Sequence, residues 1–325
     1  MHVQLFAPGV FARGAASPGR LRAAETLIAK GRRGTADYES ADAWLCARFG
    51  VARQRDWPVA PYALLGDGGA PGDHYWLRAD PVQLIVDRDR LVLGDVVRLA
   101  RGEAESLVEA LNAHFAAELV VYPMRPDRWY ARLPRAPDLA TVPPVRARGA
   151  SVEPNLPGGG DAGRFRALAN EAQMLLHAHP VNAAREARGE PTVNSLWLWG
   201  GGAIARSSRP AFRQVLADDP LARGLAQAAG IPAAPLPGDA AGWLAHAPGE
   251  GVVLAVLDAR PAAELERDWL APLLEALRAS RIGMVTLHLP AEASVLEVET
   301  VRADLRRFWR RRRPVAEYVR STQSS

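Results

Sequence analysis

The sequence predicts an α/β protein whose first and last parts form a parallel sheet flanked by helices, with an α+β middle part. The last third carries a near-continuous apolar run at Val252–Leu257, an amphipathic helical pattern, and a second apolar run at Met284–Leu289. Such a strand–helix–strand crossover implies neighbouring parallel strands buried beneath helices on both faces. The apolar start at Val3–Phe6 predicts another strand of the same sheet. Between these parts, residues 75–133 contain several short strand-like runs around one helix, which is typical of a smaller α+β domain.

Composition bounds the class of protein. The chain has 325 residues, of which 48% are hydrophobic and 23% are charged, as in ordinary globular proteins. Its formal charge of +4 does not demand a polyanionic partner, and all 40 basic residues except Lys30 are arginine. A single cysteine, Cys46, excludes a disulfide framework and a thiolate zinc cluster. No apolar run reaches the about 18 residues of a membrane span. We therefore expect a bacterial cytoplasmic protein that needs no cofactor.

Local patterns place the elements before and after the middle part. We expect a helix over Leu21–Lys30 that stops at Gly31, and a second helix over Ser40–Phe49 that Ser40 caps. The middle part should contain the following elements, in order: strands at Tyr75–Ala79, Val82–Val86 and Leu91–Leu93, a helix at Glu103–Ala117, and a hairpin of Leu119–Tyr122 with Trp129–Leu133. Pro134–Gly160 reads as a loop.

The most informative stretch follows a helical stripe that ends at Leu176. It reads His177-Ala-His-Pro-Val-Asn182, then Arg185, Gly189, Pro191, Asn194 and Trp197-Leu-Trp-Gly-Gly-Gly202. This spacing is similar to a signature of archaeal-type cofactor-independent phosphoglycerate mutases, which belong to the alkaline phosphatase superfamily. The whole chain also resembles bacterial proteins described either as phosphoglycerate mutases or as RpfE-type regulatory proteins. The resemblance is specific around Leu175–Gly202 and looser elsewhere.

That resemblance implies an alkaline-phosphatase-like sheet interrupted by an inserted domain. We expect residues 1–68 to begin the core domain, 69–160 to form the inserted domain with its linker, and 161–325 to complete the core. It also implies two metal ions and a Ser or Thr nucleophile, and the matching positions lack most of these groups. Phe6–Gly9 has no carboxylate, Trp57–Ala60 has no hydroxyl, and only Asp258 and His288 remain as ligand candidates. Because a two-metal site needs about six such ligands, we expect no metal site and no catalytic residues.

Several other polar residues are candidates for binding a ligand. His179, Asn182, Arg185 and Asn194 form either a structural corner between the domains or one wall of a ligand site. Gly200 and Gly201 could contact an anion or form a hinge. Arg88 and Arg90 could contact a phosphate or form a charged turn. Asp258 could be a ligand or a helix cap, and His288 a ligand or a buried imidazole. Trp197 and Trp199 should lie in the core.

The C-terminal segment carries the densest basic patch, with Arg306, Arg307, Arg310, Arg311, Arg312 and Arg313. If it is helical, Leu305, Phe308 and Trp309 would form an apolar strip packed on the domain. The arginines would then face solvent or contact anionic lipid. Nucleic acid is the less favoured partner because no aromatic–basic alternation is present.

Three functional hypotheses follow. The first is a non-catalytic, pseudoenzyme-type protein that regulates or binds a ligand, with a small phosphorylated or anionic molecule or a protein as its partner. The second is a phosphoglycerate mutase or another phosphate-ester enzyme with relocated catalytic residues. The third is a polyanion-binding protein that uses the C-terminal arginines. The first also predicts that Ala7, Pro8, Trp57 and Asp258 lie close together, with Trp57 filling the place of the missing metals.

Overall fold

The computed structural model describes residues 1–11, 20–115, 117–205, 210–247, 249–258 and 260–318. The chain forms two compact units. Met1–Gly50 with Ser208–Ser325 is called the core unit, and Val51–Ser207 is called the inserted unit. The predicted α/β class with an inserted α+β part is confirmed. The predicted boundaries placed residues 51–68 and 161–207 with the core, but these residues lie in the inserted unit. The helices that they contain pack on the sheet of the inserted unit.

The described elements are listed here in chain order. The first segment contains β1 (His2–Phe6), α1 (Arg22–Lys30), β2 (Arg32–Asp37) and α2 (Ala41–Arg48). The inserted unit contains α3 (Val59–Gly66), β3 (Tyr75–Asp87), β4 (Arg90–Val96), α4 (Arg101–Phe115), β5 (Val120–Arg125), β6 (Arg128–Leu133), α5 (Pro144–Ala147), α6 (Ala162–His177), α7 (Pro180–Ala187) and β7 (Ser195–Gly202). The last segment contains β8 (Phe212–Leu216), α8 (Pro220–Ala228), β9 (Ala233–Ala234), α9 (Ala240–Leu244), β10 (Val252–Val256), α10 (Ala262–Leu265), α11 (Ala271–Arg278), β11 (Met284–Pro290) and β12 (Ser294–Val301). A π-helical turn at Glu266–Leu270 joins α10 to α11.

The core unit is built on a seven-stranded sheet with the order β2-β12-β11-β1-β10-β8-β9. β1 lies between β10 and β11 and runs parallel to both, so Phe6 is in register with Val256 on one side and with His288 on the other. The predicted strand–helix–strand crossover within one parallel sheet is therefore confirmed. The expectation that its two strands are neighbours is wrong, because β1 lies between them. β12 and β2 extend the sheet in antiparallel fashion.

One face of this sheet carries the larger apolar core. Leu5, Val253 and Leu287 pack there against α1 and the α10–α11 region, which contribute Leu27 and Trp269. The apolar run in β10 is buried, as expected for a strand with helices on both faces.

Both helices of the first segment begin and end as predicted. The Ser40 hydroxyl accepts a hydrogen bond of 3.1 Å from the Ala43 backbone N–H, which caps α2. α1 ends at Gly31, whose backbone N–H donates to the Leu27 carbonyl over 2.9 Å. A Cβ at Gly31 would lie 2.7 Å from the Glu299 carbonyl oxygen, so the chain can pass β12 closely only as glycine.

The inserted unit contains a five-stranded sheet with the order β4-β3-β6-β5, and β7 pairs with β3. The prediction of two strands at Tyr75–Ala79 and Val82–Val86 is wrong, because β3 runs without a break through Pro81. Proline is tolerated there because β3 changes partner at this point, from β6 before Pro81 to β4 after it. The predicted helix α4 and the β5–β6 hairpin are confirmed.

The predicted C-terminal helix is also wrong. The chain forms a short 3-10 helix at Arg302–Arg306 and then a turn, and neither Phe308 nor Trp309 packs on the unit. The turn is held instead by polar contacts with the end of α1, which compete with helix formation. Within the described ranges, no helix has the length and apolarity required to cross a bilayer.

Candidate functional site

His288, near the carboxyl end of β11, lies on the sheet face opposite the larger apolar core and is only 2% exposed. Its Nε2 lies 3.2 Å from Oε1 of Gln4 on β1. Its Nδ1 lies 3.2 Å from Oε1 of Glu297 on β12 and 3.4 Å from the Arg48 guanidinium on α2. The Trp44 ring covers it, with ring centroids 4.9 Å apart. Both ring nitrogens of His288 are therefore engaged by the protein itself.

The charges around His288 set the protonation of the cluster. Burial lowers the pKa of His288; Glu297 raises it in part, and the Arg48 cation lowers it further. The hydrogen bond from His288 lowers the pKa of Glu297, and the Arg48 charge acts in the same direction. Arg48 and Glu297 also form an ion pair. The arrangement is a buried imidazole of lowered pKa held beside an ion pair.

Asp258, the other remaining ligand candidate, follows β10 and is 52% exposed. Its nearest charged partner is Arg260, at 3.5 Å. Because β1 lies between β10 and β11, and Asp258 follows the end of β10, the backbones of Asp258 and His288 are separated by more than about 10 Å, two strand spacings. Asp258 pairs with Arg260, whereas His288 contacts Gln4 and Glu297.

The donors in this region do not fit the two metal ions that the resemblance implies. His288 has no free nitrogen, a guanidinium cation lies beside it, and Asp258 points into solvent near Arg260. In the described part of the chain, no group of three or more His, Cys, Asp or Glu side chains is arranged to hold a metal ion. Ala7 is buried and Pro8 begins a short 3-10 helix in the core unit, whereas Trp57 is half-buried in the inserted unit. The proximity of Trp57 to the other three residues stays a prediction.

The histidine–proline corner joins α6 to α7 inside the inserted unit. His179 is the N-cap of α7, and its Nδ1 accepts a hydrogen bond of 3.2 Å from the Val181 backbone N–H. Pro180 occupies the first turn of that helix, where a missing N–H is harmless. The buried Asn182 donates from Nδ2 to the carbonyls of Leu176 and Val193 and accepts from the Val193 N–H. These contacts fix the corner.

Arg185 extends the same network. It is buried and donates to the carbonyls of Pro191 and Arg98, and it forms an ion pair of 2.6 Å with Glu103 on α4. Asn194 exchanges two hydrogen bonds with the backbone of Leu84, as a strand neighbour would. The polar atoms of His179, Asn182, Arg185 and Asn194 thus bond to groups of the inserted unit itself, and their role as one wall of a ligand site stays a prediction.

The three glycines, for which the sequence left an anion contact or a hinge open, are the last residues of β7. Gly200 has φ +65°, a left-handed conformation that favours glycine, and its N–H donates to the Thr141 hydroxyl over 3.1 Å. A Cβ at Gly200 would lie 2.9 Å from the Val59 Cβ, and Gly201 and Gly202 meet similarly close neighbours. The glycines are therefore required for close packing against neighbours such as Val59, and the hinge prediction is wrong.

The charged turn between β3 and β4 is exposed. Arg88 has φ +60°, and Arg90 pairs with Asp87 over 3.1 Å. Surface pairs of this kind contribute little to stability. Binding of a phosphate by Arg88 and Arg90 stays a prediction.

A buried charge cluster in the inserted unit was missed from the sequence. Arg78 on β3 pairs with Asp80, and its guanidinium lies 5.1 Å from the Tyr130 ring centroid and 5.4 Å from that of Trp199. The Trp199 Nε1 donates to Asp80 over 2.7 Å. The Nε of Arg78 is buried and has no hydrogen-bond partner among the described residues. The spacing of Arg78 and Asp80, two residues apart in an otherwise buried strand, was the available signal.

A neighbouring carboxylate is held by the same sheet. Asp67 accepts two hydrogen bonds from Arg128 and one of 2.8 Å from the Tyr130 hydroxyl. Burial alone would raise the pKa of Asp67, but these hydrogen bonds lower it overall. The result is a carboxylate that stays ionised inside the unit.

A cavity of about 230 Å³ was also missed, because no local pattern encodes an empty volume. It lies between α6, the segment 152–157 and strands β3, β4 and β7. Its apolar lining includes Leu84, Leu91, Val152, Phe165, Leu196 and Leu198. Its polar and charged lining includes Ser195, Asn155, Asn170, Gln173, Glu153 and Arg166. The Ser195 side chain is buried. The cavity has the composition of a small-molecule site.

The six C-terminal arginines fall into two groups. Arg307 and Arg310 are partly buried and donate to backbone carbonyls at the end of α1. Arg306, Arg311, Arg312 and Arg313 are exposed, and their side chains make no ion pair or hydrogen bond with a described residue. Only the second group is available to a partner.

Comparison with known proteins gives partial matches. The chain is 29% identical over 195 residues to a probable 2,3-bisphosphoglycerate-independent phosphoglycerate mutase of Geobacter sulfurreducens. The matched segment covers 56% of this chain and 47% of that protein. It is 32% identical over 109 residues to the 2,3-bisphosphoglycerate-independent phosphoglycerate mutase of Methanosarcina barkeri, covering 32% of this chain and 27% of that protein. The matched segments thus span less than half the length of these relatives. No family model matches the chain.

Among solved structures, the PH0037 protein from Pyrococcus horikoshii superposes with a TM-score of 0.54 at 15% identity, covering 92% of this chain and 87% of that one. This likeness shows a shared fold. The sequence matches support homology between the chain and the cofactor-independent phosphoglycerate mutases.

Proposed function

From this homology to phosphoglycerate mutases, we propose that the chain is a non-catalytic regulatory or ligand-binding protein. The observation that carries the proposal is the state of His288. Its two ring nitrogens meet Gln4, Glu297 and Arg48, so the imidazole is a structural group and not a free ligand. A phosphoryl-transfer site with two metals needs ions that stabilise both the attacking and the leaving oxygen. The residues that remain in the core unit do not supply those ligands.

Arg48 strengthens this argument. Its guanidinium lies 3.4 Å from the His288 Nδ1, so a divalent cation placed there would meet a permanent positive charge. Glu297, the nearest carboxylate, already neutralises Arg48. The cluster therefore favours the Arg48–Glu297 ion pair beside a buried imidazole over a bound metal.

The cavity of the inserted unit supports the binding part of the proposal. Its lining is mostly apolar, and burying an unpaired charge in such a place is costly. The Ser195 hydroxyl can exchange a hydrogen bond with a ligand, and the amides of Asn170 and Gln173 lie in the same lining. The ligand class that fits is a small, largely apolar molecule with one or two hydrogen-bonding groups.

The activity test uses the purified full chain with Mg²⁺, Mn²⁺ or Zn²⁺ in phosphoglycerate mutase and general phosphatase assays, with the Methanosarcina barkeri mutase as a positive control. We expect no turnover above that of the metal alone. Turnover that disappears in Asp258→Asn or His288→Gln would overturn the proposal and favour a mutase with relocated catalytic residues.

The binding test uses the uncharged fluorescent probe Nile red. We expect its fluorescence to rise in the presence of the protein and the rise to be lost in Ala169→Phe, which fills the cavity lining. The matched control is Ala183→Phe, the same change at an exposed position of α7. Equal loss in both variants, or no binding by the wild-type chain, would contradict a ligand site in this cavity.

A further inference from the structure

The turn that follows the 3-10 helix Arg302–Arg306 is held against the end of α1 by hydrogen bonds. The Lys30 ammonium donates to the carbonyls of Arg307 and Arg310, at 2.5 and 2.7 Å. In return, Arg307 donates to the Lys30 carbonyl over 2.9 Å and Arg310 donates to the Gly31 carbonyl over 2.7 Å. Carbonyls at the end of a helix attract cations, so these contacts are favourable in both directions. Arg307 also pairs with Asp304 over 2.7 Å.

Between these two tied residues, the turn presents two large aromatic side chains to solvent. Phe308 is 85% exposed and Trp309 is 65% exposed. Their ring centroids lie 5.2 Å apart and the rings are nearly perpendicular, at 85°. Among the described residues, no other aromatic side chain is exposed to this degree. A turn fixed by so many contacts that still leaves two such rings in water has the features of a preorganised docking element.

The charges around the rings are predominantly positive. Arg306 precedes the aromatic pair, and Arg311, Arg312 and Arg313 follow it, all exposed and without a side-chain partner in the described ranges. Asp304 is already paired with Arg307. A groove of the same surface is lined by Arg310, Arg311 and Arg313 and also by the carboxylate of Glu317. The partner of this surface must therefore be anionic and must also accept apolar rings.

We propose that the segment Arg306–Arg313 docks the protein on the surface of an anionic phospholipid bilayer. Phe308 and Trp309 enter the interfacial layer, where aromatic side chains are favoured. Arg306 and Arg311–Arg313 contact headgroup phosphates on either side of them. The ties to α1 keep the rings pointed outward before contact, so little conformational freedom is lost on binding.

The geometry favours a bilayer over single-stranded nucleic acid. Nucleic-acid sites of that kind place successive bases on aromatic faces along a basic groove. Here the two rings meet edge to face, so they offer no parallel faces along which bases could stack. A bilayer interface requires only that the rings reach it.

The experiment is flotation of the full chain with vesicles of phosphatidylethanolamine and phosphatidylglycerol, compared with vesicles of phosphatidylcholine alone. We expect binding to the anionic vesicles only. Arg311→Gln/Arg312→Gln should weaken that binding by about 30-fold, from the typical contribution of two basic residues near a charged surface. The charge-matched control is Arg135→Gln/Arg146→Gln, two exposed and unpaired arginines of the inserted unit, and it should bind like the wild type.

The aromatic contribution is tested by Phe308→Ser/Trp309→Ser, which should weaken binding by at least about tenfold. Val86→Ser/Val145→Ser removes apolar surface that is 74% and 75% exposed elsewhere and should have no effect. A second measurement uses the wild-type chain, so it does not depend on how well a variant folds. Vesicles with brominated phosphatidylglycerol should quench tryptophan fluorescence, and less so in Trp309→Phe.

The results that would overturn the proposal are equally specific. They are no binding to anionic vesicles at low salt, equal loss in the control variants, or no quenching by the brominated lipid. Binding to oligo-dT without binding to vesicles would replace it with a nucleic-acid surface.

Discussion

The Nδ1 atom of His288 lies 3.2 Å from Oε1 of Glu297, on the adjacent antiparallel strand of the core sheet. The two residues are cross-strand partners in register, so the sheet itself holds them together. This pairing converts a residue at the carboxyl end of a parallel strand, where α/β sheets commonly bind ligands, into part of a structural cluster.

The first prediction concerns pH. The pKa of His288 in the folded protein lies below its ordinary value of 6.5, so the unfolded chain takes up the proton first as the pH falls. The free energy of unfolding should therefore fall as the pH drops through 6.5 and below, and should be insensitive to this residue at higher pH. In His288→Gln this pH dependence should be smaller. The pH dependence that remains includes a contribution from His2, because burial also lowers the pKa of His2. Calorimetry from roughly pH 7.5 to 5.5, with His74→Gln as an exposed control, measures it. Equal pH dependence in the wild type and in His288→Gln would contradict the assignment.

The second prediction concerns the corner between α6 and α7. Asn182→Ala removes three buried hydrogen bonds to the backbone of Leu176 and Val193. We expect it to lower the free energy of unfolding by about 3 kcal/mol, because the backbone groups stay buried without partners. Asn170→Ala, an exposed position on α6, should change it by less than about 0.5 kcal/mol. Urea unfolding followed by circular dichroism compares the two, and similar midpoints would show that the corner is not fixed by Asn182.

The third prediction concerns the glycines of β7. Gly202→Ala places a Cβ less than 3.0 Å from the Cβ of Pro58, so the strand must shift. A loss of about 1–3 kcal/mol of stability is expected from such overpacking. Gly163→Ala in α6 meets nothing within 4 Å and should instead gain up to about 1 kcal/mol, because alanine favours a helix. If Gly202→Ala is as stable as the wild type, these glycines are not required for packing.

The fourth prediction concerns the buried pair in β3. Asp80→Asn leaves the Arg78 guanidinium buried without its carboxylate partner. Breaking a buried ion pair from one side typically costs about 3–5 kcal/mol. The matched control is Asp87→Asn, which breaks an exposed pair with Arg90 and should cost at most about 1 kcal/mol. Comparable thermal stability of the two variants would refute a structural role for Arg78 and Asp80.

Parts of the fold were predictable because local patterns and burial agree. The apolar run Val252–Leu257 indicated a strand with both faces covered, and β10 is the central parallel strand beside β1. Ser40 and Gly31 marked helix ends through their own backbone preferences. These signals lie within a few residues of the element they define.

The rest depends on contacts between residues that are distant in sequence. The pattern of Leu305, Phe308 and Trp309 predicted a packed helix, but Lys30 holds the segment in a turn through carbonyls more than 270 residues away. The glycines after Trp199 predicted a hinge because the sequence does not show how closely β7 approaches Pro58 and Val59. Asp258 and His288 were correctly placed at strand ends. That β1 separates them could not be predicted, because it follows from the strand order.

Whether the core unit holds metal ions is measured by a metal titration of the full chain, with Mn²⁺ in equilibrium dialysis and the bound ion counted by mass spectrometry. We expect less than one Mn²⁺ bound per chain at micromolar concentrations, and no difference between the wild type, Asp258→Asn and His288→Gln. Stoichiometric binding of two ions that is lost in either variant would contradict this expectation, because a two-metal site would then exist where the structure shows an engaged imidazole and an exposed carboxylate.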